Sequence, residues 1–277
     1  ETYPPISGLV QLRYSEALFL VGKIDLAQTV LRQAWRESNF SKQDEEYIYR
    51  RYKNLIRNED HDSRLDRLLW NRDTRAARRM LYRVSENAKK LGVARIYLIE
   101  RHPDVDKAIS AIPHDQVTSS GLTYDRVRWR RLANKNDRAR ELLHPLPKAL
   151  KYGNKWWREI AYQIRLCLRD NLIDEAYTLA ANNSQFETAN RSEATWIAGW
   201  IALTLLNRPE EAYSHFETMH GIVSMPISLG RSAYWAGQAA KESKNPVLST
   251  KWFTKGADFP TTFYCLLYTS PSPRDRG

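Results

Sequence analysis

The side chains that do most protein chemistry are present in this 277-residue chain, but their spacing does not assemble them into a reaction centre. Histidines stand at His61, His102, His114, His144, His215 and His220, and none pairs with a cysteine or carboxylate at metal-ligand spacing. His215 and His220 are five positions apart, so they do not share a helix face as an i, i+4 zinc pair does. There is no glycine-rich phosphate loop. Cys167 lies among Ile164, Leu166 and Leu168, which suits a small buried thiol, and a pairing with Cys265 alone makes no disulfide framework. The acidic pairs Asp174-Glu175 and Glu210-Glu211 fall where repeat helices begin, and carboxylates there offset the positive end of the helix dipole. The residues therefore imply no catalytic group, no metal and no cofactor.

Charge and aromatic content are the remaining features. A net charge of +11 with a pI near 9.6 invites a polyanion as partner. The cations are spread along the chain, with a local excess between Arg50 and Arg83 that Glu59, Asp60, Asp62, Asp66 and Asp73 interrupt. No RNA-recognition motif, zinc finger or basic zipper accompanies them, so nucleic acid is not the expected partner. Trp156, Trp157, Trp196, Trp200, Tyr234, Trp235, Trp252 and Phe253 recur at helical spacing beside small residues, which reads first as packing between helices. Trp196 and Trp200 flank Gly199, a place for two helices to cross closely.

The elements that hold these residues are helices arranged as repeats. A small residue recurs at Ala139, Ala176, Ala212 and Ser249, at intervals of 37, 36 and 37 residues. Four residues after each stand Leu143, Ala180, Phe216 and Phe253. Asn134, Asn171 and Asn207 lie five residues before the first three, and asparagine tolerates the left-handed backbone that closes a helix. Lys244-Asn245-Pro246 supplies the fourth turn, with proline suited to the first turn of the next helix. Gly22 to Ala27 and Arg72 to Ala77 repeat the arrangement earlier. The small residue lets antiparallel helices approach, and the larger one a turn later fills the gap with the next hairpin. The expected fold is all-α: a single superhelical solenoid of antiparallel, tetratricopeptide-like hairpins over residues 1–264, with helix pairs from Gln11 to Ala257. No segment is apolar for long enough to span a bilayer, and Glu1-Thr2-Tyr3-Pro4-Pro5 has no signal-peptide pattern. Residues 265–277 lack helical periodicity and read as a disordered, foreign tail.

An ordered series of segments carries a family resemblance. Ser192-Glu193-Ala194-Thr195-Trp196-Ile197-Ala198-Gly199-Trp200-Ile201-Ala202-Leu203 is followed by Pro209-Glu210-Glu211-Ala212-Tyr213-Ser214-His215-Phe216. Pro226 to Ala240, Lys251-Trp252-Phe253 and Phe259-Pro260-Thr261-Thr262-Phe263-Tyr264 come after. In this order they resemble the soluble lytic murein transglycosylases, just upstream of their lysozyme-like domain. Asp60 to Trp70 and Tyr124 to Arg131 are similar to earlier parts of the same family. The resemblance implies a periplasmic ring of helix pairs that carries a domain cleaving the MurNAc–GlcNAc bond to 1,6-anhydromuropeptides, with one glutamate as acid and then base. That glutamate belongs to a Glu-Ser motif downstream of Phe263-Tyr264. Here Cys265-Leu266-Leu267 replaces the family's Gly-Gln-Leu, so the catalytic domain is expected to be absent and the chain inactive by itself. The implied partners are glycan strands and that catalytic domain. Arg64, Arg67, Arg128 and Arg131, in the two earlier segments, are the candidate substrate contacts. Two other readings stay open: a free tetratricopeptide-like scaffold for protein partners, and a basic solenoid for nucleic acid.

Overall fold

A computed structural model describes residues 7–144, 146, 150–184, 186–259, 262–264 and 267. The expected 265–277 tail falls outside the described residues apart from Leu267. The described residues form fifteen α-helices and one short 3-10 turn, without a strand. No helix among them is long and apolar enough to cross a membrane. The chain divides into two compact units, residues 1–133 and 134–277.

Unit 1 contains α1 (Gly8–Leu20), α2 (Ile24–Glu37), α3 (Lys42–Tyr52), α4 (Asn58–Trp70), α5 (Thr74–Met80), α6 (Glu86–Glu100), α7 (Val105–Ser110) and α8 (Ser120–Leu132). Unit 2 contains α9 (Asn136–Arg140), α10 (Gly153–Arg169), α11 (Ile173–Ala181), α12 (Thr188–Thr204), α13 (Pro209–Ile222), α14 (Pro226–Glu242) and α15 (Pro246–Ala257). From α10 onward each helix packs on the one that follows, and α12 also meets α10 and α14.

One backbone device joins the hairpins. Gly22, Arg72, Asn134, Asn171, Asn207 and Lys244 all have φ between 52 and 76°, the left-handed region, between α1–α2, α4–α5, α8–α9, α10–α11, α12–α13 and α14–α15. At five of these turns the residue after the left-handed one sends its N–H back to the helix: Lys23 to Leu18 O (2.9 Å), Asp73 to Leu68 O (3.0 Å), Leu172 to Cys167 O (2.8 Å), Arg208 to Ala202 O (2.8 Å) and Asn245 to Ala240 O (3.0 Å). These bonds satisfy carbonyls that a helix end leaves open. The next helix is then started by its own cap: Asp73 accepts from Ala76 N–H, and Asn245 accepts from Leu248 N–H ahead of Pro246 at the first helical position.

Five residues after each left-handed position comes a small, buried side chain: Ala27, Ala77, Ala139, Ala176, Ala212 and Ser249. In hairpins that lie within one unit, small residues bring the two backbones together, and hydroxyls exploit the proximity. Ser15 Oγ donates to Ala27 O (2.8 Å) and Ser249 Oγ to Gly237 O (2.9 Å), each across its own hairpin. The larger side chain one turn later fills the groove beside the contact. Phe216 presses on Gly199, where a Cβ would stand 2.7 Å from the ring, and Phe253 presses on Gly237 in the same way. Phe216 also stacks on Trp235 of the following hairpin, 5.9 Å between centroids, so this position packs within a hairpin as well as between hairpins. Unit 1 has a core around Trp35, Leu65, Leu68, Leu69 and Met80, and α12 to α15 enclose another around Ala212, Phe216, Ala236 and Trp252.

Ala176→Leu or Ala212→Leu places three extra carbons where the hairpin backbones meet. Each substitution is expected to cost about 1–3 kcal/mol in urea denaturation; unchanged midpoints for both would contradict the close crossing.

Candidate functional site: buried arginines and an aromatic face

The expected substrate arginines occupy two helices of unit 1. Arg64 is 1% exposed. Its Nη1 donates to the carbonyls of Trp35 (2.6 Å) and Ser38 (2.8 Å), and its guanidinium lies against the rings of Trp35 and Phe40. The buried Glu45 carboxylate is 3.5 Å away. This is a structural strut between α2, α3 and α4, so Arg64 offers no charge to a ligand outside. Arg67 is half-buried and donates to Arg36 O (2.6 Å), Ser38 O (2.7 Å) and Asn39 Oδ1 (2.9 Å), closing the carbonyls at the end of α2. Arg128 and Arg131 on α8 are also half-buried and engaged in interactions.

The local excess of cations between Arg50 and Arg83 has a partner inside the protein. Glu45 receives Arg64, Arg79 (3.0 Å) and Arg83 (2.7 Å) together, and Arg83 also reaches Glu46 (2.8 Å). Burial alone would raise the Glu45 carboxyl, but the hydrogen bonds from Arg79 and Arg83 and the charge of Arg64 hold it below the usual range. Burial pulls Arg64 itself down to about 10. A second node lies between α4, α6 and α8, where the buried Arg95 donates to Asp125 and Asp66, both at 2.7 Å. Breaking such a pair typically costs about 3–5 kcal/mol, because the charge left behind remains buried.

Unit 2 ties its repeats with hydrogen bonds between equivalent positions. Tyr177 and Tyr213 each follow the small residue of their hairpin. Trp252 Nε1 donates to Tyr213 Oη (3.1 Å), and Tyr213 donates to Glu217 (2.7 Å). One repeat earlier, Tyr177 donates to Glu211 (2.7 Å) and lies 3.0 Å from His215 Nε2. With the hydroxyl proton directed to Glu211, Nε2 must carry the imidazole proton, as the indole does in the next repeat. Burial and Glu211 push the Tyr177 phenol up to about 12. Trp157 Nε1 donates to Glu193 (2.8 Å) and Asn190 pairs with Asn154, again linking successive hairpins. The first-turn carboxylates have a second use: Glu175 meets Arg140 (3.0 Å) and Asp174 meets Arg208 (3.2 Å).

His61, His220 and the described cysteine are structural as well. His61 is buried, and its Nδ1 accepts from Trp35 Nε1 (3.2 Å). His220 Nδ1 lies 2.9 Å from Ser232 Oγ. The buried Cys167 thiol is pushed up to about 11, chiefly by burial, which leaves little thiolate at neutral pH. Among the described residues, no three His, Cys, Asp or Glu side chains converge as a metal site.

An aromatic face on α12 and α14 has the richest chemistry in unit 2. Glu193, Trp196 and Trp200 recur along one side of α12, and Arg231, Tyr234 and Trp235 along α14. Trp196 and Trp200 are stacked with their planes inclined by 21° and centroids 6.5 Å apart, and Trp235 meets Trp196 edge-on at 6.1 Å. Arg231 sits 3.6 Å over the Trp196 ring. Trp196, Trp200, Arg231, Tyr234 and Trp235 are half-buried, and Trp196 and Trp235 pack against the core around Phe216 and Trp252 as the helical spacing predicts. Sequence spacing identified the rings; the approach of α14 to α12 adds Arg231. Compared with protein families, curated proteins and solved structures, the chain finds no match.

Burial holds His61, His215 and His220 below their ordinary pKa, with Arg83 adding to the effect at His61 and Lys255 at His220. A depressed folded-state pKa means that the unfolded chain takes up the proton first, near pH 6.5. These histidines therefore contribute stability above about pH 6.5 that is lost as pH falls. The urea midpoint is expected to drop between pH 7.5 and 5.5, and replacing the three with glutamine should flatten that drop. A midpoint that rises on acidification would contradict their buried, neutral state.

Proposed function

We propose that this chain is a noncatalytic helical scaffold of a soluble lytic murein transglycosylase in the periplasm. In this reading its hairpins stack as a tetratricopeptide-like superhelix that positions a lysozyme-like catalytic domain and holds peptidoglycan glycan strands. The observation that carries the proposal is a coincidence of two features. The ordered series that carries the family resemblance, from Ser192 to Tyr264, includes Ser192 to Leu203 on α12 and Pro226 to Ala240 on α14, the helices that bear the half-buried tryptophans and Arg231. The repeated left-handed turn and buried small residue support a stack of like hairpins.

Arg64 falls away as a glycan contact because its charge is consumed inside unit 1. The net charge of +11 still favours an anionic polymer such as the peptide-bearing glycan. A free protein-interaction scaffold is the second reading. It is favoured by exposed apolar side chains near the hairpin turns of unit 2, namely Leu172, Leu205 and Val247.

Co-sedimentation with purified sacculi tests the proposal. The 277-residue chain is expected to pellet with sacculi, to be released as salt rises through the range that shortens the screening length to a few ångströms, and to liberate no anhydromuropeptides. Absence of binding, or tighter binding to RNA than to sacculi at physiological salt, would overturn it; heat-sensitive release of anhydromuropeptides would overturn the noncatalytic role.

A further inference from the structure

We propose that the tip of the α1–α2 hairpin docks on a membrane surface rich in anionic lipid. Its apolar side chains would enter the acyl boundary, with neighbouring arginines on the headgroup phosphates. This function lies within unit 1 and does not depend on the scaffold reading.

The six turns built on a left-handed residue differ in what they show to solvent. From two residues before that position to four after it, the first turn exposes Leu20, Val21, Ile24 and Leu26. The same stretch exposes one large apolar side chain at four of the others, Leu132, Leu172, Leu205 and Val247, and none around Arg72. Leu20 is 89% exposed and Val21 68%, so both stand clear of the rest of the chain. The apolar surface runs back along α1. Val10, Ala17 and Val21 are exposed at spacings of seven and four, which places them on one side of the helix, while Leu12 and Leu18 are buried on another. A helix that is apolar on its outer side as well as its core side has a surface suited to a second apolar medium. The backbone of the tip is prepared for that medium. Val21, Gly22 and Lys23 send their N–H groups back to the carbonyls of Ala17 (3.2 Å), Phe19 (3.2 Å) and Leu18 (2.9 Å), which lowers the cost of taking the turn out of water.

Charge beside the tip selects an anionic surface. A hollow of about 610 Å³ is lined by Phe19, Leu20, Tyr47 and Leu55, together with Arg13 and Arg51. Both arginines are exposed and share one carboxylate, Glu16, which is 2.8 Å from Arg13 and 3.9 Å from Arg51 and also accepts from Tyr52 Oη. One positive charge is therefore left over at the apolar hollow. Lys42 and Arg50 continue the cationic border along α3, where Glu46 is held by Arg83 as well as by Arg50. On the tip itself Lys23 and Asp25 balance each other. Depth fits as well. Arg13 lies seven residues before Leu20, about 10 Å back along the helix. Interfacial elements bury their apolar side to a comparable depth, so Leu20 in the acyl boundary leaves Arg13 among the phosphates. The planar guanidinium fork matches phosphate oxygens, and the exposed Tyr47 beside it has the amphipathic ring that membrane interfaces favour.

Sedimentation of the 277-residue chain with sucrose-loaded vesicles tests the proposal. The vesicles are phosphatidylglycerol and phosphatidylcholine in equal parts, compared with phosphatidylcholine alone. The chain is expected to pellet with the mixed vesicles at low salt, to bind phosphatidylcholine about tenfold more weakly, and to be released as salt rises. Leu20→Ser combined with Val21→Ser should lose about tenfold in affinity for the mixed vesicles. Arg13→Gln combined with Arg51→Gln should lose about tenfold on the mixed vesicles and little on phosphatidylcholine. Leu172→Ser combined with Val247→Ser, at the corresponding turns of unit 2, should bind as the unmodified chain does. All six side chains are exposed, and matched thermal midpoints show that the variants are folded. No pelleting with the mixed vesicles, equal binding of the two compositions, or undiminished binding of the Leu20 and Val21 double variant would overturn the inference. So would an equal loss in the unit 2 variant. A dimer that forms without vesicles and is abolished by the Leu20 and Val21 changes, with no vesicle binding, would overturn it in favour of a second copy of the chain. Purified sacculi carry no bilayer, so the same double variant should still pellet with them, which separates this proposal from the scaffold reading.

Discussion

The close crossing of two antiparallel helices at a residue no larger than alanine or serine is the constraint on which the rest of this structure depends. A left-handed residue turns the chain, and five residues later the small side chain lets the backbones meet. Once the backbones are that near, glycine on the facing helix becomes the seat for a ring, as at Gly199 and Gly237. The ring then projects toward the next hairpin and joins it, as Phe216 does with Trp235. Backbone geometry thus determines side-chain packing, and packing determines which residues remain at the face of α12 and α14.

Charge follows from the same closeness. Hairpins that pack tightly leave carbonyl groups at helix ends with little access to water, and such groups are costly when unsatisfied. Arginine reaches them while its aliphatic stem and flat head pack against rings. Arg64 and Arg67 perform this task at the end of α2, and the buried carboxylates of Glu45 and Asp125 compensate the charge carried inside. Part of the basic composition is therefore internal scaffolding. Arg231 differs in that its support is an indole and its buried Nε has no acceptor among the described residues.

Much of this was legible in the amino-acid order. Asn134, Asn171 and Asn207 mark left-handed turns because few residues accept that backbone, and Ala139, Ala176, Ala212 and Ser249 mark crossings because their spacing repeats. The first-turn positions of Asp174, Glu175, Glu210 and Glu211 were equally readable. The left-handed Arg72 and Lys244 were legible only through their position in the repeat, since their side chains confer no such preference. Burial of Arg64 was not legible. Its partners Trp35, Ser38 and Glu45 come from two other helices and the connection between them, and periodicity along α4 does not distinguish a buried guanidinium from a solvated one. The tyrosine-to-ring bonds were hidden for a related reason: each joins residues 38 or 39 apart, and only alignment of the repeats brings them into register.

The central claim is that peptidoglycan is held on the α12–α14 face while unit 1's buried arginines serve the fold. Hydroxyl-radical footprinting of the chain with and without sacculi tests it most directly. Trp196, Trp200 and Tyr234 should become protected, while Tyr47 and Tyr82, exposed on unit 1, should react as before. Protection at Tyr47 and Tyr82 with none at the three α12–α14 residues would contradict the account.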